Sequence, residues 1–399
     1  MQASVHQPRI YISVTFWGEE YRRYFVDYCL PSLMAPGNIP AIQNKRDARM
    51  LMATREDDWQ ALQSEPILAA AKEQIAVEHV PYEAPLIVKN DEKMLVMSKG
   101  HRLLTQRMFE DRAHGVIVYP DMILADGAIR RIEELVASGY KVVLCLAVRF
   151  ANEGLIEELQ ARRLVERGKP IVIGAQELAR LTIKYMHSET VRLEFEADYL
   201  DLGACHFFWV VTPGRDLLFH SVNWAPLLID YSALSDHDSS TFDNWTLDGD
   251  YIARNFSNID EIYIVRNTTE LFVSGFTPES KISYPRVSFP PYRSQFLRPI
   301  MKTVRAREFM LQSGVLDSVK REFFRIPIRL QGGAASESDW RKAERRAAKI
   351  VASIDQETMF SWLWRRRRNP ILRRPVVFIL DRLRYFRYFM GDLLRRCRT

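Results

Sequence analysis

The feature that most constrains the fold is residues 115–145, GVIVYPDMILADGAIRRIEELVASGYKVVLC. A short apolar run, Val116 to Tyr119, breaks at Pro120-Asp121. A turn at Ala125-Asp126-Gly127 leads into an amphipathic segment that stops at Gly139, and a second apolar run spans Lys141 to Leu146. Two such runs around a segment of helical period predict strand, polar tip, helix and strand, the unit of an α/β domain that handles nucleotides. Asp121, an acid at the exit of a buried strand, is placed to hold a metal or a phosphate-bearing ligand. It could equally cap the turn into the following helix.

The rest of the chain extends this pattern. Residues 9–16 predict a first strand, with Trp17-Gly18 at its exit, and residues 50–54 a second. Helices are expected over 19–33, 57–76 (two pieces, because of Pro66), 92–112, 151–167 and 176–187. Between 190 and 230, short apolar runs alternate with Gly203, Pro213-Gly214 and Pro226. They predict strands at 190–196, 205–211, 216–221 and 227–230, forming a small antiparallel extension. Further strands are expected at 262–265 and 270–276, then a helical stretch at 299–325. Gln331 to Ser338, QGGAASES, has linker composition. The expected organisation is an α/β domain over 1–330, a linker over 331–338 and a helical tail over 339–399.

Composition narrows the function classes. The four cysteines, Cys29, Cys145, Cys205 and Cys397, show no CxxC spacing, which argues against a zinc ribbon or a disulfide framework and fits a reducing cytoplasm. No apolar run reaches membrane-spanning length, and the N-terminus lacks a signal pattern. The net charge of +6 is unevenly spread: residues 361–399 hold twelve Arg and two Asp, a net of +10, which leaves residues 1–360 at −4. A basic nucleic-acid-binding face on the globular part is therefore not expected.

Two further polar spots carry candidate chemistry. His220, in LLFHSVNWAP, ends a predicted strand and is a candidate metal ligand or a structural hydrogen-bonding residue. The stretch 235–250, SDHDSSTFDNWTLDGD, packs five Asp among Phe242, Trp245 and Leu247, which suits a pocket edge. Its spacing does not fit an EF-hand, since position 12 counted from Asp243 is Arg254. A carboxylate here could take the proton of an acceptor hydroxyl, and Asp248 and Asp250 are the candidates for that base. The alternative is a solvated loop whose acids cap their own backbone.

The order of parts over roughly residues 9–290 resembles the GT-A-fold glycosyltransferases of the nucleotide-diphospho-sugar transferase superfamily. The resemblance implies a Rossmann-type central sheet flanked by helices, with nucleotide contacts at Thr15, Phe16 and Trp17 after the first strand. Residues 116–132 resemble the family's Asp-x-Asp element in a degenerate form. Tyr119 stands where the first Asp is expected, and Asp121 matches the second. On this resemblance Tyr119 and Asp121 face the nucleotide-sugar, and Asp121 with His220 holds Mg²⁺ or Mn²⁺. Asp248 or Asp250 lies on the acceptor side, and Arg149 faces the diphosphate.

The tail supplies the remaining expectation. Trp362 and Trp364 precede four consecutive Arg, and apolar residues at 376, 379, 383, 386, 390, 393 and 397 form one helical stripe. Arg-rich amphipathic helices with aromatic residues lie in membrane interfaces, though the same spacing also serves a coiled coil. Together these readings predict a cytoplasmic glycosyltransferase, peripheral on the inner face of the membrane. It would bind an anionic membrane surface through residues 361–399 and transfer sugar from a nucleotide-sugar donor to a glycan or lipid-linked acceptor. The competing expectation is a non-catalytic membrane-associated scaffold on a degraded transferase fold.

Overall fold

A computed structural model describes residues 8–85, 92–197, 206–222, 224–280, 302–303, 306 and 318–355. The basic tail at 361–399 and most of the expected 299–325 helix lie outside these residues.

Seven strands build the central sheet, in the order β3-β2-β1-β4-β10-β6-β11. They are β1 (Ile10–Thr15), β2 (Arg49–Thr54), β3 (Ala76–Pro81), β4 (His114–Val118), β6 (Val142–Leu146), β10 (Trp224–Asp230) and β11 (Ile262–Ile264). All run parallel except β10, which is antiparallel to both β4 and β6. The central strands read as unbroken apolar runs because both faces of the sheet are covered. Alternation along β1 shows this directly. Ile10, Ile12 and Val14 belong to one core layer, with Phe25, Leu30 and the 128–137 helix, while Tyr11 belongs to the other, with Leu104 and Met108 of the 93–110 helix.

The elements around the opening unit form as expected. The helix Ala128–Ala137 buries Ile129, Ile132 and Leu135, and the chain leaves it through Gly139 at φ +93°, a left-handed turn that glycine adopts without strain. The expected helix at 57–76 is two helices, Glu56–Leu62 and Pro66–Gln74. The 19–33 helix contains a π-helical turn at Phe25–Cys29.

Other expectations need correction. Residues 190–196 do not form a strand. Ser188–Val191 is a short helix capped by the His187 ring, which accepts the Glu189 N–H, and only Glu194 bridges to Phe208. The 227–230 run belongs to β10 in the central sheet, not to the small extension. The extension is β8 (His206–Thr212), β9 (Asp216–Ser221) and β13 (Ile328–Gln331), all antiparallel. A third sheet joins β5 (Met122–Leu124), β12 (Val273–Thr277) and β7 (Arg149–Ala151) just beyond the ends of β4 and β6. The helix Glu337–Asp355 buries Trp340, Ala343, Ala347 and Val351 in the same core layer as Phe208, Trp209 and Leu218 of the extension. The architecture is a seven-stranded mixed α/β sheet flanked by helices, with two additional three-stranded sheets.

Candidate active site

From β1 the chain crosses to β2 and β3 on one side, while β4 lies on the other. Open α/β sheets bind ligands outside the carboxyl ends of the strands where the order reverses in this way. The exits of β1, β4 and β6 all meet that rim, and they carry Thr15 to Trp17, Tyr119 to Asp121, and Arg149.

The exit of β1 is largely committed to structure. The Thr15 hydroxyl donates to the Ala53 carbonyl at 3.2 Å, and the Phe16 N–H donates to the same oxygen at 3.2 Å. Phe16 continues the inner-face alternation of β1, so its ring is buried and stacks on Phe25 at 5.2 Å. Trp17 is half-buried, edge-on to Tyr82 at 6.3 Å. Of the three, Trp17 is the one with a ring at the surface.

The exit of β4 is the focus. The Asp121 carbonyl accepts the Phe276 N–H at 2.9 Å, which pins the tip to β12. Behind it, Phe276 packs against Tyr24, Tyr28 and Phe150, and Tyr24 and Tyr28 flank or lie on the π-helical turn. Burial raises the Asp121 carboxyl above its usual range, and the Arg149 charge partly offsets this. Tyr21 is pushed up to about 12, by burial first and then by the negative charge of Asp121. The Tyr119 phenol is raised well above its ordinary value by burial and then by the charges of Asp248 and Asp121, with Arg149 opposing. Tyr119, Asp121, Arg149 and Asp248 therefore share one electrostatic neighbourhood. The exposed Arg149 also lies 3.4 Å from Glu189.

The acid-rich loop joins this rim through Tyr119, whose hydroxyl donates to the Leu247 carbonyl at 3.1 Å. Asp248 caps the helix Gly249–Asn255 by accepting the Asp250 N–H at 2.8 Å. The Asp250 carboxylate accepts from the Thr241 hydroxyl at 2.9 Å and from Arg254 Nε at 2.8 Å. The expected polar loop is thus ordered by its own acids, as Asx and cap geometry allow.

His220 has different surroundings. It lies on β9 in the small sheet, buried, with Nδ1 2.8 Å from the Phe324 carbonyl and the rings of Trp209 and Phe324 against it. Burial lowers its pKa to about 4. This is the environment of a core histidine. Among the described residues, no group of three or more His, Cys, Asp or Glu side chains is placed to hold a metal ion. The donor set at the rim is oxygen from Asp121. That suits a hard cation carried in on a diphosphate, since Mg²⁺ is commonly bound by one or two carboxylates together with substrate phosphates rather than in an all-protein cage.

Sequence reasoning did not find His101 or Tyr21. His101 lies on the buried stripe of the Lys93–Glu110 helix with Leu104, Thr105 and Met108, and a histidine inside such a stripe was the available signal.

No family model matches this chain, and no curated protein sequence matches it. Among solved structures, the chain is similar to residues 1–349 of S. aureus TarS, at 10% identity over 35% of this chain and 36% of that one, with a TM-score of 0.25. The longer TarS structure matches at the same identity and TM-score over 22% of its length. A Bacillus anthracis structure described as a glucose-1-phosphate thymidylyltransferase in complex with sucrose matches at 8% identity over 37% of this chain and 57% of that one, with a TM-score of 0.23. The matched parts span less than two thirds of those proteins, and the likeness is too distant to carry an argument about chemistry.

Proposed function

We infer that this protein is a glycosyltransferase that moves a sugar from a nucleotide-diphospho-sugar to a hydroxyl acceptor. One observation supports the reading: the exits of β4 and β6, with Tyr119, Asp121 and Arg149, meet at the carboxyl-end rim beside the point where the strand order reverses, and the Tyr119 hydroxyl ties Leu247, the neighbour of Asp248, to it. Trp17, at the exit of β1, offers a ring to the nucleotide. Arg149 pairs with the diphosphate through its guanidinium fork. Asp121 is the residue that would hold Mg²⁺ or Mn²⁺. A bound cation would supply positive charge to the diphosphate as it leaves. Asp248 takes the proton from the acceptor hydroxyl while the oxygen bonds to the anomeric carbon and the bond to the diphosphate breaks. Asp250 is held by Thr241 and Arg254 and serves as the support of that loop.

A glycan or lipid-linked acceptor near an anionic membrane is the companion proposal, resting on the composition of residues 361–399. Flotation with vesicles containing anionic lipid should require those residues; equal flotation of a chain ending at 360 would remove the anchor. The second reading, a non-catalytic scaffold, is favoured by one fact: Tyr119, in place of a second acid, spends its hydroxyl on Leu247.

The deciding experiment is thermal stabilisation by UDP, GDP and CMP with Mg²⁺ or Mn²⁺, followed by product analysis with the matching nucleotide-sugars. Stabilisation with turnover that Asp121→Asn abolishes supports the transferase. Stabilisation without turnover supports the scaffold, and no stabilisation by any nucleotide defeats both.

A further inference from the structure

The rim holds a device that the chemistry above does not use. Leu247 is buried, and both polar groups of its backbone are taken by side chains from separate elements. Its N–H donates to His101 Nδ1 at 3.3 Å, and its carbonyl accepts the Tyr119 hydroxyl at 3.1 Å. His101 comes from the 93–110 helix and Tyr119 from the exit of β4. The two rings also meet each other edge to face, with centroids 5.6 Å apart at 79°, and Phe242 closes the other side of His101 at 6.4 Å. For Nδ1 to accept, His101 must be neutral with its proton on Nε2. Burial favours that form, lowering the ring's pKa to about 3.

We propose that His101 and Tyr119 are positioning residues that clamp the Leu247 backbone and thereby fix Asp248, the next residue, at the tip of β4. The proposal rests on the reading of Asp248 as the base. A buried backbone N–H and C=O must both be satisfied, so breaking either contact makes the segment seek water or another partner. Asp248 is one peptide bond away and is also the cap of the 249–255 helix. A general base acts only within hydrogen-bond reach of its proton, and a displacement of about 1 Å can cost on the order of 100-fold in rate. The replacement of an acid by Tyr119 in the degenerate motif then has a purpose: the phenol ties the acceptor-side loop to the donor-side tip.

The test uses the full chain and three variants, Tyr119→Phe, His101→Leu and His101→Asn. Tyr119→Phe deletes one contact while keeping the ring. His101→Leu deletes the other, and His101→Asn keeps an acceptor. Amide hydrogen exchange over 244–250, measured without substrate, should accelerate about tenfold in the first two variants and stay near the parent in the third, the factor corresponding to loss of one hydrogen bond. In assays with whichever UDP-, GDP- or CMP-sugar turns over, kcat should fall about 10- to 100-fold in the first two, with donor KM within about twofold. The Tyr119→Phe/His101→Leu double variant should be little worse than either single one. Unchanged exchange in Tyr119→Phe and His101→Leu overturns the clamp whatever the kinetics show. Exchange needs no activity, so absence of turnover with every donor defeats the glycosyltransferase reading and leaves the clamp to be decided by exchange. If His101→Leu does not fold, Tyr119→Phe decides.

Discussion

Asp248 and Asp250 stand two residues apart, yet their hydrogen-bond partners differ, and the proposed mechanism gives them different roles. Asp250 holds two side-chain partners, Thr241 and Arg254. Asp248 has a capping bond to the Asp250 N–H and a charge that reaches the Tyr119 phenol. Asparagine caps a helix about as well as aspartate, so Asp248→Asn removes the charge while keeping the fold. We expect that variant to lose about 10²- to 10⁴-fold in kcat, the usual contribution of a general base. Its unfolding free energy should change by less than about 0.5 kcal/mol. Asp250→Asn loses a largely exposed ion pair with Arg254, which is a matter of a few tenths of a kcal/mol, and should keep kcat within about threefold. Steady-state kinetics and urea unfolding on the two variants settle the division; a dead Asp250→Asn beside an active Asp248→Asn would reverse it.

At the scale of elements, the decisive contact is the close approach of the 93–110 helix to the end of β1. A Cβ on Gly100 would stand 2.1 Å from Thr15 Oγ1 and 3.1 Å from its Cβ. Gly100→Ala gains about 1 kcal/mol of helix propensity but meets an overpacking cost of roughly 1–3 kcal/mol, so a net loss near 1 kcal/mol is expected. In a Thr15→Ala background the obstructing hydroxyl is gone and only the tight 3.1 Å contact with the Cβ remains, so the same substitution should cost clearly less. Urea midpoints for the four proteins of this cycle measure the coupling, and equal effects in both backgrounds would show that the approach is not tight. β1, β4 and β6 lie in the middle of a covered sheet and announce themselves as apolar runs. β3, AVEHVP, is an edge strand with half-exposed residues, and β5, β7 and β13 are only three or four residues long, so none carries a periodic signal. β10 contains Pro226 beside a register shift, which cut the expected strand to 227–230 and hid its place in the central sheet. Asp121 and the acid loop were legible as separate spots. Their junction through Leu247, 128 residues from Tyr119 and 146 from His101, leaves no trace in local spacing.

Across the whole molecule, two histidines far apart in the fold make the same demand on pH. His101 sits under the rim, and His220 lies in the small sheet; they are 3% and 2% exposed, with pKa values lowered by burial to about 3 and about 4. Once unfolded, each titrates near its ordinary value of 6.5. Between the folded and unfolded values the unfolded chain binds more protons, so stability is fully present above about pH 6.5 and is lost as pH falls below it. Each group contributes a slope of up to about 1.4 kcal/mol per pH unit, so the pair should remove roughly 4 kcal/mol between pH 7 and pH 5. The size of that loss depends on the unfolded values, because both folded values lie below the window. Half-buried Asp121, whose pKa is raised, acts in the opposite sense, since its ionisation as pH rises through the carboxylate range costs stability. Below neutrality the histidines therefore dominate. Urea unfolding at pH 7 and pH 5 should show the drop, and the double variant His101→Asn/His220→Gln should lose only the share of these two rings, because neither replacement titrates while His206, lowered by burial to about 4, still does. If the double variant falls as steeply as the parent, the acid sensitivity resides elsewhere, and the buried rings do not set the lower pH limit of the fold.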